Sequence, residues 1–365
     1  MSKKRILILC PYPEDKAPSQ RLKFEQYYDH FREAGYELTI SPFMSTAFWN
    51  VVYKKGHFFQ KAIYTLAGYA RRVRDLFRVR QYDIVYIHLW VTPLGAPIFE
   101  RAVTALSRKM LYDIDDLVYL KNLKSKATPL ISKLKGVQKP LYLMRKADHV
   151  ITCTPYLDKF ARQLNPNTTD ISSTVDTVAY KARTDYSLRE EKLVLGWSGS
   201  LSTAKFLHVL DKVMQELTKH LDFKLLVLGD REFAIEGVDV EAYDWEKTIE
   251  LSTISRFDIG LYPLPDEEWV YGKSSLKAIQ YMAMGIPTVA TAIGTNFRVI
   301  EDGENGFLVN NQDEWIQTLR RLAEDEKLRR LVGEKARAKV ITHFSIDANK
   351  NVYIDILNRL TASEK

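Results

Sequence analysis

Short apolar runs alternate with longer amphipathic segments along most of the chain. The clearest runs are Lys4–Cys10, Ile84–Leu89 and Ala147–Thr152 in the first half, and Leu193–Trp197 and Phe223–Leu228 in the second. Runs without polar alternation are typical of parallel strands that are covered on both faces. Because segments of helical period separate them, the pattern predicts βαβ units and an α/β fold with parallel sheets.

The same criteria predict the remaining elements. Further strands are expected at Glu37–Ile40, Lys109–Tyr112, Asp258–Tyr262, Pro287–Thr291 and Gly306–Val309. Helices are expected at Ser19–Ala34, between Thr152 and Leu164, at Phe206–His220, at Ser274–Met284 and after Asp313.

The polar segment 180–192 interrupts this alternation, and the pattern restarts after it. We therefore predict a first domain at 1–180, a linker at 181–192, a second domain at 193–345 and a terminal helix within 346–365. The chain of 365 residues fits two domains of about 150 residues each.

Charge is distributed unevenly between the two halves. The net charge is +7, but residues 1–180 contain 28 Lys and Arg against 16 Asp and Glu, whereas residues 181–365 contain 25 against 30. A basic half indicates an anionic partner, which includes nucleic acid, acidic lipid and phosphorylated substrates. Two cysteines exclude a disulfide scaffold, and 46% hydrophobic residues exclude a disordered chain.

The sequence also bears on location. The first apolar run is too short for a signal peptide, and the uncharged stretches 84–99 and 278–297 are broken by Gly and Pro. The presence of only two cysteines, Cys10 and Cys153, fits a reducing compartment. We expect a cytoplasmic protein that is not integral to a membrane.

Three loops follow predicted strands and lead into predicted helices, which is where ligands bind to parallel sheets. They span residues 11–21, 196–200 and 271–277. The last contains Ser274 as a predicted N-cap, and free amides at a helix start favour phosphate. Each loop alone is explained by a turn and a helix cap, but the three together, each with a cation nearby, predict an anion site. The spacings of a P-loop and of GxGxxG are both absent.

Five segments match the motifs of a known family. They are residues 173–176, 196–199, 258–264, 272–290 and 301–309. In this order and spacing they resemble glycosyltransferase family 4, also described as glycosyl transferases group 1. The resemblance covers most of residues 148–345, and the first 147 residues are similar only in architecture.

The resemblance implies a GT-B fold, in which two Rossmann-like domains with parallel sheets face a central cleft. The second domain then holds a nucleotide sugar, the first holds the acceptor, and the terminal helix crosses back to the first. It implies a retaining glycosyltransferase that uses a polysaccharide, glycolipid or lipid-linked acceptor and needs no metal or other cofactor. Two alternatives remain: a catalytically silent GT-B protein that binds a nucleotide sugar, and a GT-B nucleotide-sugar epimerase.

The resemblance also implies a donor site in the second domain. Lys205 matches one member of the family's basic pair, and Ser200 stands where an arginine is common. The family's two glutamates correspond to Gly272 and Gln280, and the amide of Gln280 can still hydrogen-bond ribose. Lys277 is interpreted as a solvent-facing helix residue, with compensation for the missing arginine as the alternative. The predicted donor-binding residues are Gly199, Ser200, Lys205, Tyr243, Lys273, Ser274, Ser275, Leu276 and Gln280.

In the first domain, Asp113 stands where the family places a histidine. A carboxylate there would orient an acceptor hydroxyl or stabilise positive charge on the sugar, so Asp113 and Lys205 are the predicted catalytic residues. The alternatives are a helix cap with solvated acids for Asp113–Asp116, and a structural role for His88. No third ligand accompanies these acids, so no metal is expected. The predicted acceptor side also includes Pro13, Ser19, Arg21, His88 and Asp115.

Most of the positive charge lies in residues 51–150, where cations are mixed with apolar side chains, including the segment 121–139. Two interpretations are open: a helix that binds an anionic membrane, and an ordinary amphipathic helix packed on the sheet. No nucleic-acid motif accompanies the charge, so a lipid-linked acceptor at a membrane surface is the expected partner. The apolar positions, with arginines on the other side, are Phe59, Ile63, Leu66, Tyr69 and Val73.

Overall fold

The computed structural model describes residues 3–115, 117, 136 and 138–362. The chain divides into two compact units. The first unit is Met1–Ser172 together with Asn349–Lys365, and the second unit is Ser173–Ala348. Within the described residues, each unit contains one parallel sheet of six strands with helices packed on it.

The sheet of the first unit has the strand order β2-β1-β3-β4-β5-β6, and every neighbouring pair is parallel. The apolar runs correctly predicted its central strands, but β6 is short and polar and was not predicted. The strands are β1 (Lys4–Cys10), β2 (Tyr36–Pro42), β3 (Ile84–His88), β4 (Met110–Asp113), β5 (His149–Thr152) and β6 (Thr168–Asp170).

The helices of the first unit differ from the prediction in one place. The helix predicted at Ser19–Ala34 is interrupted: a 3₁₀ turn at Glu25–Tyr27 separates two short helices, and the side chain of Lys23 enters the interior between them. The helices are α1 (Pro18–Arg21), α2 (Tyr28–Glu33), α3 (Thr46–Val52), α4 (Phe58–Leu76), α5 (Ile98–Leu106), α6 (Lys139–Lys146) and α7 (Pro155–Leu164).

The sheet of the second unit has the strand order β12-β11-β10-β7-β8-β9, again with parallel neighbours. The edge strand β9 was not predicted, since it is short and only partly buried. The strands are β7 (Leu193–Ser198), β8 (Phe223–Leu228), β9 (Val240–Tyr243), β10 (Ile259–Tyr262), β11 (Thr288–Thr291) and β12 (Phe307–Val309).

The helix predicted at Phe206–His220 begins as a 3₁₀ segment, Lys205–Leu210, and a second 3₁₀ turn at Glu268–Gly272 precedes α11. The helices of this unit are α8 (Leu201–Ala204), α9 (Asp211–Leu217), α10 (Lys247–Ile254), α11 (Leu276–Ala283), α12 (Asn296–Val299), α13 (Gln312–Glu324) and α14 (Glu326–His343).

Both faces of the second sheet are covered, which explains its continuous apolar strands. Along β7, Leu193, Leu195 and Trp197 pack into one hydrophobic cluster, whereas Val194 packs into the cluster on the opposite face. This two-sided burial is the arrangement expected of Rossmann-like α/β units.

The boundary between the units differs from the predicted one. Residues 173–192 belong to the second unit, so the first compact unit ends at Ser172 and not at residue 180. The segment 181–192 is not a free linker, because Tyr186 is buried and Arg183 forms a 3.2 Å ion pair with Asp258. The polar composition of the segment 181–192 did not indicate these two contacts.

The terminal helix α15 (Ile346–Thr361) belongs to the first unit from Asn349 onward. The ring of Tyr353 lies 4.6 Å from that of Tyr27, and Lys4 donates a 2.7 Å hydrogen bond to Thr361. Among the helices in the described part of the chain, none combines the length and the apolar character needed to span a bilayer.

Candidate functional site

In the second unit, the chain turns sharply where β7 ends. The backbone amide of Gly199 donates a 2.7 Å hydrogen bond to Leu228, and a Cβ atom at Gly199 would lie 2.4 Å from the ring of Trp197. Glycine is therefore required at this position. The next residue, Ser200, is exposed and begins α8 through a reciprocal capping box with Thr203. Gly199 and Ser200 thus lie at the carboxyl end of the strand, as predicted.

The start of α11 differs from the prediction. The helix begins at Leu276, and the residue before it is Ser275, not the predicted cap Ser274. Ser275 has a left-handed φ of 59°, and its hydroxyl donates a 2.6 Å hydrogen bond to Asn296. Ser274 instead shares a 2.7 Å hydrogen bond with Ser173. Both hydroxyls are therefore used in fixing this turn, and neither caps the helix.

Two lysines and two aromatic rings form a continuous row beside this turn. The amine of Lys205 lies 5.1 Å from the ring centre of Phe206, whose ring lies 4.8 Å from that of Trp269. The amine of Lys273 lies 5.5 Å from the ring centre of Trp269. We call these four side chains the lysine–aromatic row. Sequence analysis selected both lysines but missed the rings, although Phe206 and Trp269 flank them within four residues.

Lys277 does not face solvent, so the interpretation favoured from sequence is wrong. It is partly buried, and its amine lies 4.9 Å from the ring centre of Trp197 and 5.9 Å from that of Tyr262. Burial, and then the like charge of Lys273, lower the pKa of Lys277 to about 7. Lys277 is the second residue of α11 and lies beside the Gly199 turn. This position, and not the charge of the side chain, explains why Lys277 is partly buried.

The remaining predicted donor-binding residues differ in their exposure and in their contacts. Gln280 is buried, and its amide donates hydrogen bonds to Tyr180 (2.5 Å) and Glu250 (3.2 Å), so the structure does not favour the predicted ribose contact. Leu276 is partly buried and packs against the hydrophobic core. Tyr243 is exposed at the end of β9 and donates its hydroxyl to Glu241.

In the first unit, Asp113 ends β4 but has no exposed surface. One carboxylate oxygen lies 2.5 Å from the amine of the buried Lys23, and the other accepts a hydrogen bond from Tyr86. Burial alone would lower the pKa of Lys23, but the negative charge of Asp113 raises it above its ordinary value. In this structure Asp113 cannot contact an acceptor, so the predicted catalytic placement is corrected to an internal ion pair.

The neighbouring His88 is also enclosed. Its ring lies 5.0 Å from that of Phe24, and burial lowers its pKa to about 4 despite the opposing effect of Asp113. Its Nε2 atom lies 3.9 Å from a carboxylate oxygen of Asp115, which is partly exposed. These contacts fit the structural role that sequence analysis had left open for His88. Asp116, the last acid of this cluster, lies outside the described residues.

The loop after β1 holds the other predicted acceptor residues. Gln20 fixes this loop by accepting a 2.9 Å hydrogen bond from the amide of Tyr12 and donating one of 3.0 Å to its carbonyl. Pro13 is buried, whereas Ser19 and Arg21 are partly exposed. Among the residues that the structure describes, no group of three or more His, Cys, Asp or Glu could hold a metal ion.

Comparison with known proteins finds a family match within the second unit. Residues 192–325 match the family described as Glycosyl transferases group 1. The chain is 25% identical over 194 residues to N-acetyl-alpha-D-glucosaminyl L-malate synthase of Bacillus anthracis, covering 47% of this chain and 48% of that protein. It is 25% identical over 171 residues to the capsular polysaccharide biosynthesis glycosyltransferase CapM of Staphylococcus aureus, covering 44% of each. The chain thus spans less than half the length of these relatives.

Among solved structures, the Anabaena protein HepE in complex with UDP and glucose superposes with a TM-score of 0.70. The superposition covers 98% of this chain and 100% of that one, at 15% sequence identity. At this identity the similarity establishes the fold, and the chemistry has to be argued from the residues of this chain.

Proposed function

We propose that the protein is a retaining glycosyltransferase, from the premise that residues 192–325 match the glycosyl transferases group 1 family and that the chain has the fold of HepE. It transfers a sugar from a nucleoside-diphosphate donor to a glycan or lipid-linked acceptor in surface polysaccharide assembly. The relative CapM supports the acceptor class, and the bound UDP of HepE supports the donor class. The observation that carries the proposal is the set of lysines beside the Gly199 turn.

These lysines would neutralise the leaving diphosphate. Lys205 is exposed, and no carboxylate among the described residues lies within ion-pair distance of it. Gly199, which has no side chain, lets a phosphate approach the backbone closely. Cations and amides positioned where charge develops stabilise the departing group without reorganising, which lowers the barrier to transfer.

In a single displacement, retention requires attack on the face that the diphosphate leaves. In such a reaction the departing phosphate oxygen accepts the proton of the acceptor hydroxyl, so a strong protein base is not needed. This fits the first unit, because Asp113 is held by Lys23 and His88 is buried. Asp115, Ser19 and Arg21 are partly exposed and are the proposed acceptor contacts.

Donor hydrolysis and transfer with a panel of UDP-, GDP- and ADP-sugars test the proposal. We expect one nucleotide class to raise the melting temperature and to support transfer with an unchanged anomeric configuration, measured by NMR. The rate should persist in EDTA, since lysines supply the positive charge. Binding without turnover would identify a silent protein, and sugar conversion without an acceptor would identify an epimerase. Inversion would contradict retention.

The surface of α4 supports a membrane-associated acceptor. The buried residues of α4 are Gly68, Arg72 and Asp75, and four of the five predicted apolar positions point outward. The fifth, Tyr69, is partly buried and packs against the rings of Phe43 and Phe99. Phe59 and Leu66 are 78% and 69% exposed. Most of the apolar face of α4 is therefore not packed on the sheet, which supports the membrane interpretation over that of an ordinary amphipathic helix. The exposed apolar side chains around this helix are Tyr53, Phe58, Phe59, Ile63, Leu66, Val73 and Phe77.

The cations around this surface are of two kinds. Arg71 donates two 2.7 Å hydrogen bonds to carbonyl groups, and Arg72 is buried, so these arginines serve the fold. Lys54, Lys55 and Arg74 are exposed. Exposed cations beside apolar side chains suit a bilayer that contains anionic lipid, where each Lys or Arg contributes about 1 kcal/mol. The basic residues 121–135 lie outside the described part of the chain.

Vesicle cosedimentation tests this association. Wild-type protein should bind vesicles with anionic lipid at low salt, bind less at high salt, and bind neutral vesicles little. Phe59→Ser with Leu66→Ser should abolish most of the binding, whereas Leu331→Ser, an exposed leucine of the second unit, should not. Equal binding by both variants, or none by the wild type, would remove the membrane from the proposal.

A further inference from the structure

Lys277 lies against the inner side of the Gly199 turn. Its Cε atom is 2.8 Å from the position that a Cβ atom of Gly199 would occupy, so glycine leaves the space that the lysine side chain fills. Its amine is 3.5 Å from the hydroxyl of Thr203, which belongs to the capping box of α8. Trp197 and Tyr262 enclose the amine from the sheet.

This amine has no anionic partner in the described part of the chain. No carboxylate there lies within 4 Å of it, and the charge that acts on it is the like charge of Lys273. The aromatic rings offer only weak attraction to a cation. An amine at a helix start, enclosed on one side by rings and repelled by another lysine, is stabilised in its charged form only when an anion arrives.

We propose that Lys277 is the inner cation of the donor diphosphate site, and that the bound diphosphate is the anionic partner that the protein itself does not supply. The inference rests on the proposed function, because it assumes a nucleoside-diphosphate donor at the Gly199 turn. Lys277 would contact the diphosphate from beneath the turn, while the exposed Lys205 contacts it from outside. With both lysines at the diphosphate, the site would need no cation at position 200, where the family commonly has an arginine and this chain has Ser200.

The enclosed position makes donor binding depend on pH. With a pKa of about 7, the amine is mostly neutral at pH 8, and a bound diphosphate would raise that pKa and draw a proton onto it. The phenol of Tyr262, which faces the amine, does not titrate in this range, because burial raises its pKa above the ordinary value. The other charge that acts on the amine is the like charge of Lys273. The donor phosphates are fully ionised at pH 8, since a terminal phosphate has a pKa of about 6.

Calorimetric titration with UDP at pH 8 in two buffers of different ionisation enthalpy measures the proton uptake directly. The wild-type protein should take up nearly one proton per UDP, and its affinity should fall about tenfold between pH 7 and pH 8.5. This measurement needs no variant, so it does not depend on whether a substitution disturbs folding.

Three variants complete the test. Lys277→Met, which keeps the contact with Trp197, should weaken UDP binding about tenfold or more at pH 7 and abolish proton uptake. Lys277→Arg, which stays charged, should bind UDP with little dependence on pH. Lys212→Met removes an exposed lysine of the same unit and should behave as the wild type.

The outcomes separate the inference from its premise. Wild-type protein that binds none of UDP, GDP and ADP overturns the proposed function and the inference together. UDP binding by the wild type without proton uptake, and with equal affinity in Lys277→Met, overturns the inference alone. Loss of uptake in Lys277→Met but not in Lys212→Met supports it.

Discussion

The buried cations of the first unit and the lysines beside the Gly199 turn are surrounded differently. The described buried cations of the first unit each have a carboxylate within 3.4 Å. These pairs are Lys23–Asp113, Arg72–Asp75 and Lys139–Glu100. Each cation also donates hydrogen bonds to backbone carbonyls, so these cations hold loops to the sheet and are not available to a ligand.

Beside the Gly199 turn, neither Lys205 nor Lys277 has a carboxylate at ion-pair distance among the described residues. The first half of the chain has the larger positive charge, yet its interior cations are already neutralised. The second half is net acidic, yet these two lysines remain open to an added anion. Whether a cation already has a carboxylate partner therefore indicates a ligand site better than the number of cations does.

The largest expected effect is on stability, at Asp113. Asp113→Ala leaves Lys23 buried without its counter-charge and should lower the free energy of unfolding by about 3–5 kcal/mol. Urea unfolding of the purified variant measures this. The double variant Asp113→Leu with Lys23→Met removes both charges and should recover most of the loss. A variant Asp113→Asn with wild-type stability but lost turnover would restore Asp113 to the catalytic site and break the comparison.

A smaller effect is expected from His88, which stays neutral in the same interior. Its pKa is near 6.5 in the unfolded chain and about 4 in the fold, so the unfolded chain binds the proton more readily. Stability should therefore fall as the pH falls from about 6.5 to about 4, by about 3 kcal/mol from this residue.

His149, whose pKa burial also lowers to about 4, contributes in the same direction. His88→Phe should consequently flatten the dependence of stability on pH in part, measured by urea unfolding across this range. An unchanged dependence in this variant would mean that the pKa of His88 is the same in the folded and the unfolded chain.

The smallest effect is expected at Lys205, and it concerns binding alone. Lys205→Ala should weaken nucleoside-diphosphate affinity about tenfold, or about 1.4 kcal/mol, and leave the melting temperature unchanged, because the side chain is exposed. Lys205→Arg should retain most of the affinity. If Lys205→Ala lowers stability instead, its charge serves the fold as the cations of the first unit do, and the contrast is lost.

Most of the sheet was predictable because burial on both faces produces runs such as Phe223–Leu228 that need no context. The edge strands β6 and β9 escaped because residues such as Thr169 and Glu241 are polar and partly solvated. The break in the helix predicted at Ser19–Ala34 also escaped, since Lys23 turns inward to meet an acid far along the chain.

The candidate site was predictable only where backbone geometry demands a residue type. Gly199 could be selected because the turn excludes a Cβ atom. The orientations of Lys277 and Gln280 depend on Trp197 and Glu250, which are brought to them by tertiary packing. The sequence around a helical lysine does not show whether its amine contacts water, a carboxylate or an aromatic ring.

The ion pair between Lys23 and Asp113 also favours the correct register of β4 in the sheet. The two residues are ninety positions apart, and Asp113 pairs with His88 across the strands β3 and β4. A slip of β4 by one residue would turn its carboxylate to the opposite face of the sheet. Lys23 would then be enclosed without a counter-charge, so misregistered sheets are penalised during folding before any ligand is present.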